Sequence, residues 1–332
     1  MRFHIPCSIL TVLLATAQST HAWNGPGHMT VAKIAYDELT DLERKRAHEI
    51  LKQHPHYMSY LTKNKPGGVL VEEWVFLRAA TWPDAVRSQD AWTPDQIKAS
   101  DPVWYHRPGD HFANFPVFAK AATPAFLAKV RKRPAPHDIV CALKQRVAEF
   151  QLRTASPADK AVALCWLLHL VGDVHQPLHC ATLYKEGPNE DTDFSDGDAG
   201  GNAIALKVGD KKEKVRLHSF WDELLAVTSD LGAEIRDTKE YAEEAYKLAT
   251  LAARRLKKAH PRATLSELKR DKEFKDWANE SFELAQKVAY WDGKIAEIAV
   301  RAPRHPMPIP DTAAEEPAGY SAKARCEPTT HR

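Results

Sequence analysis

Apolar residues recur three to four positions apart along most of the chain, the spacing of helices that bury one face. From Met29 to Lys52 they fall at Val31, Ile34, Ala35, Leu39, Leu42, Ile50 and Leu51. The same spacing predicts helices over Glu72 to Ala80, Pro124 to Lys132, Asp138 to Arg153, His218 to Leu231, Lys239 to Lys258, Leu265 to Arg270 and Phe274 to Val300. Ala203 to Val208 and Lys214 to Leu217, divided by Gly209-Asp210, read as a small hairpin. Ala85 to Pro108, rich in aromatic residues and prolines, and Leu183 to Gly201, rich in Gly, Asp, Asn and Glu, read as loops. From Arg301 onward prolines and small residues predict an irregular tail. No internal repeat or linker divides the body. The expected fold class is therefore all-α: one mostly helical domain with a small β-hairpin.

One helix stands apart. Ser156-Pro157-Ala158-Asp159 supplies a capping hydroxyl, a proline at the first helical position and an acid two residues further on. The helix is expected to run to about Gln176, because Pro177 cannot continue its hydrogen-bond ladder. Its C-terminal half, Cys165 to Cys180, is an apolar run interrupted by His169, Asp173, His175 and His179. His169 and Asp173 are four apart, so they share a face, roughly 40° apart around the axis. Burying an imidazole and a carboxylate among Leu, Val and Trp is costly unless they bond to something. They either bond to each other or share a divalent metal.

Composition narrows the setting. The chain has 332 residues with 44% hydrophobic content, enough for one large domain or two small ones. Lys+Arg 46 against Asp+Glu 44 is nearly balanced, so bulk charge does not announce a nucleic-acid binder. Sixteen histidines favour metal binding. Residues 1–22 read as a secretory signal peptide, with Arg2 at the charged start, an apolar core from Ile9 to Ala17, and a small-residue cleavage site at Thr20-His21-Ala22. That core is too short for a membrane anchor, and no later segment is longer and as apolar. The expectation is a soluble protein, secreted or periplasmic, that begins at Trp23. Cys7 leaves with the signal. Cys141, Cys165, Cys180 and Cys326 then either form two bridges, in one of three pairings, or stay as buried thiols.

Further candidates for chemistry lie on both sides of the central helix. Trp23-Asn24-Gly25-Pro26-Gly27-His28 would carry a new α-amino group. That amine and the Trp23 carbonyl oxygen can chelate a metal, with His28 close enough to add an imidazole; otherwise the segment is a frayed terminus. In Trp82-Pro83-Asp84-Ala85-Val86-Arg87 the arginine either pairs with Asp84 or offers its planar fork to a phosphate while Asp84 ligates a metal. His111 and Asn114 sit among Phe112 and Phe115, with His106 a rival ligand five residues before His111. His175 is rotated about 120° from His169 and reads as structural. His218 and Asp222 repeat the four-residue pairing of His169 and Asp173. All these ligands are nitrogen and oxygen donors, which suits Zn²⁺. Asp191 to Asp198 loosely matches a calcium-binding loop, but its glycine is one place late and Asn202 stands where Glu is needed, so it reads as a solvated acidic loop.

Taken in order, the Trp23/His28 segment, WPDxVR, HFxN, HxxxDxxxxxH, DxGGN (Asp198 to Asn202) and HSxWD resemble the zinc-dependent single-strand nucleases of the S1/P1 type, a family within the phospholipase C/nuclease superfamily. The resemblance spans Trp23 to about Asp222 in motifs and extends to about Val300 in helical character. With the signal peptide read over 1–22, it implies a zinc-dependent nuclease domain over 23–300, while the proline-rich tail over 301–332 has no counterpart in the family pattern. It also implies three Zn²⁺ ions: one held by Asp84, His111, His169 and Asp173, a second by His179, His218 and Asp222, and a third by the Trp23 amine and carbonyl, His28 and Asp173. Asn202, Phe112 and Asn114 would contact substrate. Catalysis would rest on Asp84, Asp173 and Arg87. A zinc-bridging hydroxide would attack phosphorus, with Arg87 neutralising charge on the phosphoryl group. The expected activity is endonucleolytic hydrolysis of single-stranded RNA and DNA, and of 3′-nucleotides, to 5′-phosphorylated products. No membrane anchor and no obligate protein partner is implied. Fungal members carry Asp where this chain has Asn114, and the stretch from Asp84 to His111 is long for the family, which keeps His106 in contention. The alternatives are a zinc phospholipase C and a secreted zinc-binding protein without catalysis.

Overall fold

The computed structural model describes residues 23–87, 105–119, 122–131, 138–207, 214–225, 238–266, 268, 273–295 and 300–301. The segment 1–22, most of the Ala85 to Pro108 loop, Gly209-Asp210, Cys326 and the tail after Arg301 lie outside the described residues. Among the described residues the protein is mostly helical, as the apolar spacing predicts.

The helix expected from Met29 to Lys52 is two helices. α1 (Gly25–Glu38) starts four residues earlier, where the Asn24 side chain accepts from Gly27 N–H, and it ends at Leu39. α2 (Asp41–Leu51) starts afresh because Thr40 and Glu43 form a reciprocal capping box. A π-helical turn at Tyr57–Leu61 leads on to α3 (Val71–Ala79). The WPDAVR segment then forms its own short helix, α4 (Trp82–Arg87). α5 (Pro124–Arg131) and α6 (Ile139–Gln151) follow. The central helix, α7 (Pro157–Val174), starts at Ser156 with the expected cap, in which Asp159 closes a capping box, and stops two residues short of Gln176. α7 packs against α1, α2, α3, α4 and α6, so both its flanks are covered. Trp74, Trp82 and Trp166 fill the core around it and are fully buried.

On both sides of Pro177–His179, a single 3₁₀ turn, the chain makes strands that apolar spacing did not announce. β1 (Phe115–Phe118) pairs in parallel with β2 (Ala181–Tyr184), Phe115 opposite Ala181. The expected hairpin exists as β3 (Ile204–Lys207) and β4 (Lys214–Arg216), but a third strand, β5 (Val300–Arg301), pairs antiparallel on the other edge of β3. Val300 is thus strand, not the end of a helix. α8 (Leu217–Asp222) is one short helix running directly from β4. α9 (Lys239–Ala259) lays Ala242, Ala245, Ala249 and Ala253 inward, small residues that let it pack closely on α1. α10 (Phe274–Leu284) continues as a π turn at Ala285–Ala289 and a tight turn at Trp291–Gly293, rather than as helix to Val300. No described helix is long and apolar enough to cross a membrane. Cys165 and Cys180 are buried free thiols, the alternative to bridging that the sequence left open for them.

Candidate metal centre

Five elements carry buried imidazoles and carboxylates to the inner face of α7. His28 comes from the first turn of α1, Asp84 from α4, and His111 from the end of a 3₁₀ turn at Pro108–His111. α7 supplies His169 and Asp173, the 3₁₀ turn after it supplies His179, and α8 supplies His218 and Asp222. Their nitrogen and oxygen atoms fall into three groups, each mutually within 4.8 Å: His28, Asp84 and His169; His111, His169 and Asp173; His179, His218 and Asp222. His106 belongs to none of them. His175 is exposed, its Nδ1 bonded to the Val171 carbonyl, and stands apart.

Asp173 faces two ways. Its Oδ2 lies 3.0 Å from His111 Nδ1 and 3.1 Å from His169 Nε2, while Oδ1 lies 3.3 Å from His28 Nε2. Asp84 reaches the same histidines from the other side, at 3.8 Å from both His28 Nε2 and His169 Nε2. The His28 and His169 rings stack at 3.9 Å. Gly172 makes room for this: a Cβ there would sit 2.8 Å from His28 Nδ1. The Gly172 carbonyl also accepts from the Trp23 indole at 2.9 Å, so Trp23 is buried beside Asp173 and is no frayed terminus. In the third group His218 Nε2 stands 3.6 Å from Asp222 Oδ2, and the His179 and His218 rings lie 5.0 Å apart.

Backbone carbonyls set the imidazole tautomers. His169 Nδ1 donates to the Ala80 carbonyl at 2.8 Å, His179 Nδ1 to that of His111 at 2.6 Å, and His218 Nδ1 to that of Gly200 at 2.7 Å. A carbonyl only accepts, so each Nδ1 carries a proton and each Nε2 of the neutral ring offers a lone pair inward. This carbonyl-to-imidazole support is the arrangement that orients metal-ligating histidines.

The local field asks for a cation. Burial opposes charging His169, but Asp173 and Asp84 outweigh it and raise its pKa to about 9. Burial likewise opposes ionising Asp173, yet His169 and His179, with hydrogen bonds from His111 and His169, hold its carboxyl well below the ordinary range. His28 and His179 are lowered, chiefly by burial, and so favour neutral rings. Asp222 is raised, chiefly by burial, against a hydrogen bond from Gln176. The donor set suits Zn²⁺, and the buried Nε2 atom of His179 has no hydrogen-bond partner among the described residues.

Motif reading assigned no supporting role to two residues, Gln176 and the Asp198 that opens DxGGN. Gln176 is fully buried; its Nε2 donates to Asp222 Oδ1 at 2.7 Å and its Oε1 accepts from Leu178 N–H at 2.6 Å. That leaves Asp222 Oδ2 for the site. Its only sequence signal is a polar residue between two histidines just before a proline. Asp198, read as solvated, is fully buried; Leu183 N–H and the Tyr290 hydroxyl donate to its carboxylate. Around the centre, Phe112 and Asn202 are half-buried. Asn114 is exposed, its Oδ1 accepting from the Thr182 hydroxyl at 2.7 Å, and Asn202 Nδ2 donates to the Ala199 carbonyl at 2.9 Å. Arg87 ends α4, three residues after Asp84; its side chain lies outside the description.

Residues 23–302 match the family described as S1/P1 Nuclease. Nuclease S1 of Aspergillus oryzae is 26% identical over 241 residues, which are 72% of this chain and 66% of that protein. Endonuclease 4 of Arabidopsis thaliana is 36% identical over 63 residues, 19% of this chain and 16% of that one. The chain thus spans just under two thirds of the first relative and less than a fifth of the second.

Proposed function

Because the chain belongs to the S1/P1 nuclease family, we propose that it is a secreted, tri-zinc endonuclease that hydrolyses single-stranded RNA and DNA to 5′-phosphorylated products. The observation that carries this reading is the sharing of Asp173, whose two oxygens face different histidines of one buried cluster. Asp84, His111, His169 and Asp173 would hold one zinc, His179, His218 and Asp222 another, and the Trp23 amine and carbonyl with His28 and Asp173 a third. The third set requires processing to begin at Trp23, after a signal over 1–22, with the nuclease domain over 23–300 and an irregular tail beyond it. When bound, zinc supplies Lewis-acid polarisation of phosphoryl oxygens and lowers the pKa of water.

The chain's own groups do the rest. The carbonyls of Ala80, His111 and Gly200 lock His169, His179 and His218 with Nε2 inward, so no ring must reorient before reaction. Gln176 keeps Asp222 aimed in the same way. Arg87, one helical turn beyond Asp84, binds a substrate phosphate with its guanidinium fork. Phe112 offers a stacking face, and Asn202 and Asn114 offer amide donors and acceptors for an unpaired base, which a duplex does not expose.

The test is turnover of single-stranded and duplex DNA, single-stranded RNA and phosphatidylcholine by the mature protein, before and after chelation. The expected result is cleavage of single strands, loss on chelation and recovery with zinc. Turnover of lipid alone would instead make the protein a phospholipase C. Inertness on every substrate with zinc bound would leave a metal-binding protein without catalysis.

A further inference from the structure

Tyr290 lies outside every motif and is fully buried. Its hydroxyl sits 3.0 Å from Asp198 Oδ1 and 2.9 Å from Oδ2, and so donates to the carboxylate head-on. Burial and the adjacent carboxylate keep the phenol protonated, so it remains a donor. The backbone that presents it is strained. Trp291 and Asp292 follow at φ 48° and 51°, left-handed values that non-glycine residues rarely hold, before Gly293 at φ 80°. Such outliers persist only where surrounding structure holds them in place.

Asp198 passes the constraint on. Leu183 N–H donates to its Oδ1 at 2.9 Å, and the N–H groups of Gly200 and Gly201 also bond to it. Asp198 therefore closes the tight loop Ala199-Gly200-Gly201, whose three residues have φ of 53°, 63° and 85°. A Cβ on Gly200 would meet the Leu178 carbonyl at 2.5 Å. The loop ends in two contacts to one residue: the Gly200 carbonyl accepts from His218 Nδ1 at 2.7 Å, and the Gly201 carbonyl from His218 N–H at 3.3 Å.

From this geometry we propose that Tyr290 is a positioning residue for the metal centre: through Asp198 it fixes the Gly200 carbonyl that holds His218 with Nε2 facing Asp222 and His179. The inference rests on the proposed function, since it assigns that nitrogen to zinc. Tyr290 touches neither metal nor substrate, and it belongs to the C-terminal part of the chain, beyond the last motif.

The test uses the full mature protein loaded with zinc and titrated with a competing chelator. Tyr290→Phe removes one hydroxyl and leaves the ring. One zinc of three should then dissociate about tenfold more readily, the low end of the range for groups that support a ligand from behind, while the other two keep their affinities. Asp198→Asn should release the same zinc, and the double variant should be no worse than Asp198→Asn alone. In a His218→Ala background, which lacks that zinc, Tyr290→Phe should change nothing further. Unchanged affinity, or equal loss from all three sites, would overturn the assignment. A wild-type protein that binds no zinc would instead defeat the proposed function. The positioning claim is then read by NMR from the His218 Nδ1 proton, whose exchange with solvent should quicken about tenfold in Tyr290→Phe and Asp198→Asn. Unchanged exchange refutes it.

Discussion

Asp173 is the residue on which the site turns. Both its oxygens are engaged, Oδ1 toward His28 and Oδ2 toward His111 and His169, whereas His179 has its ligand atom grouped with those of His218 and Asp222. Asp173→Asn should therefore lose two zincs and His179→Ala mainly one, as counted by elemental analysis; equal loss in both would contradict the assignment. Gln176→Leu removes the donor that aims Asp222, and zinc affinity in that group should fall by about tenfold. At this scale the sequence was readable where chemistry and spacing coincide. His169 with Asp173, and His218 with Asp222, stand four apart in apolar helices, a repeat that resembles a metal site more than chance packing. Gln176 and Tyr290 carried no such signal, and Asp198 stood out only as the first residue of DxGGN. Each works through hydrogen bonds that include one to a residue 46, 15 or 92 positions away, which only the folded chain brings together.

Among elements, α7 does most to shape the centre, and its limits were legible because caps are local: a hydroxyl, a proline and an acid at one end, Pro177 at the other. Trp166 on α7 packs edge-on against His111 with ring centres 5.3 Å apart, so Trp166→Ala would remove core and site support together. Thermal unfolding should show a loss of about 3–5 kcal/mol. β1 and β2 escaped notice because each is four residues long, β1 is apolar throughout and β2 is buried throughout, and their pairing joins residues 115 and 181, so neither alternation nor a turn announces them. The loop after β2 carries a pH signature. Burial raises the Asp198 carboxyl to about 6, against hydrogen bonds from Leu183 and Tyr290. Below about pH 4 it is protonated whether the chain is folded or not; above that the unfolded chain ionises first, so its contribution to stability falls up to about pH 6 and is then flat. Wild type measured against Asp198→Asn by denaturant titration should show this decline, absent from the variant; parallel curves would show that the carboxyl is not raised.

The described residues form one mostly helical body in which the motifs from Trp23 to Asp222 converge, with Tyr290 bonded to Asp198 in the loop that follows β2. That convergence ties metal to stability. Stripping zinc should lower the melting temperature by on the order of 10 °C, since ligands that bind only the folded state contribute in this way. Lys+Arg 46 nearly balances Asp+Glu 44, and no basic-aromatic stripe marks the sequence. Binding should accordingly engage few phosphates, and KM for single-stranded DNA should rise less than about tenfold between 50 and 200 mM salt; a steeper rise would reveal an extended basic track. The central claim is that α7 gathers three metals around Asp173, the third of them completed by a free amine at Trp23. The most direct measurement is the zinc content per chain of purified protein whose N-terminus has been sequenced. The account predicts three zincs in protein that begins at Trp23 and two in protein still carrying residues ahead of it; three zincs in the unprocessed form, or fewer than three in the processed one, would contradict it.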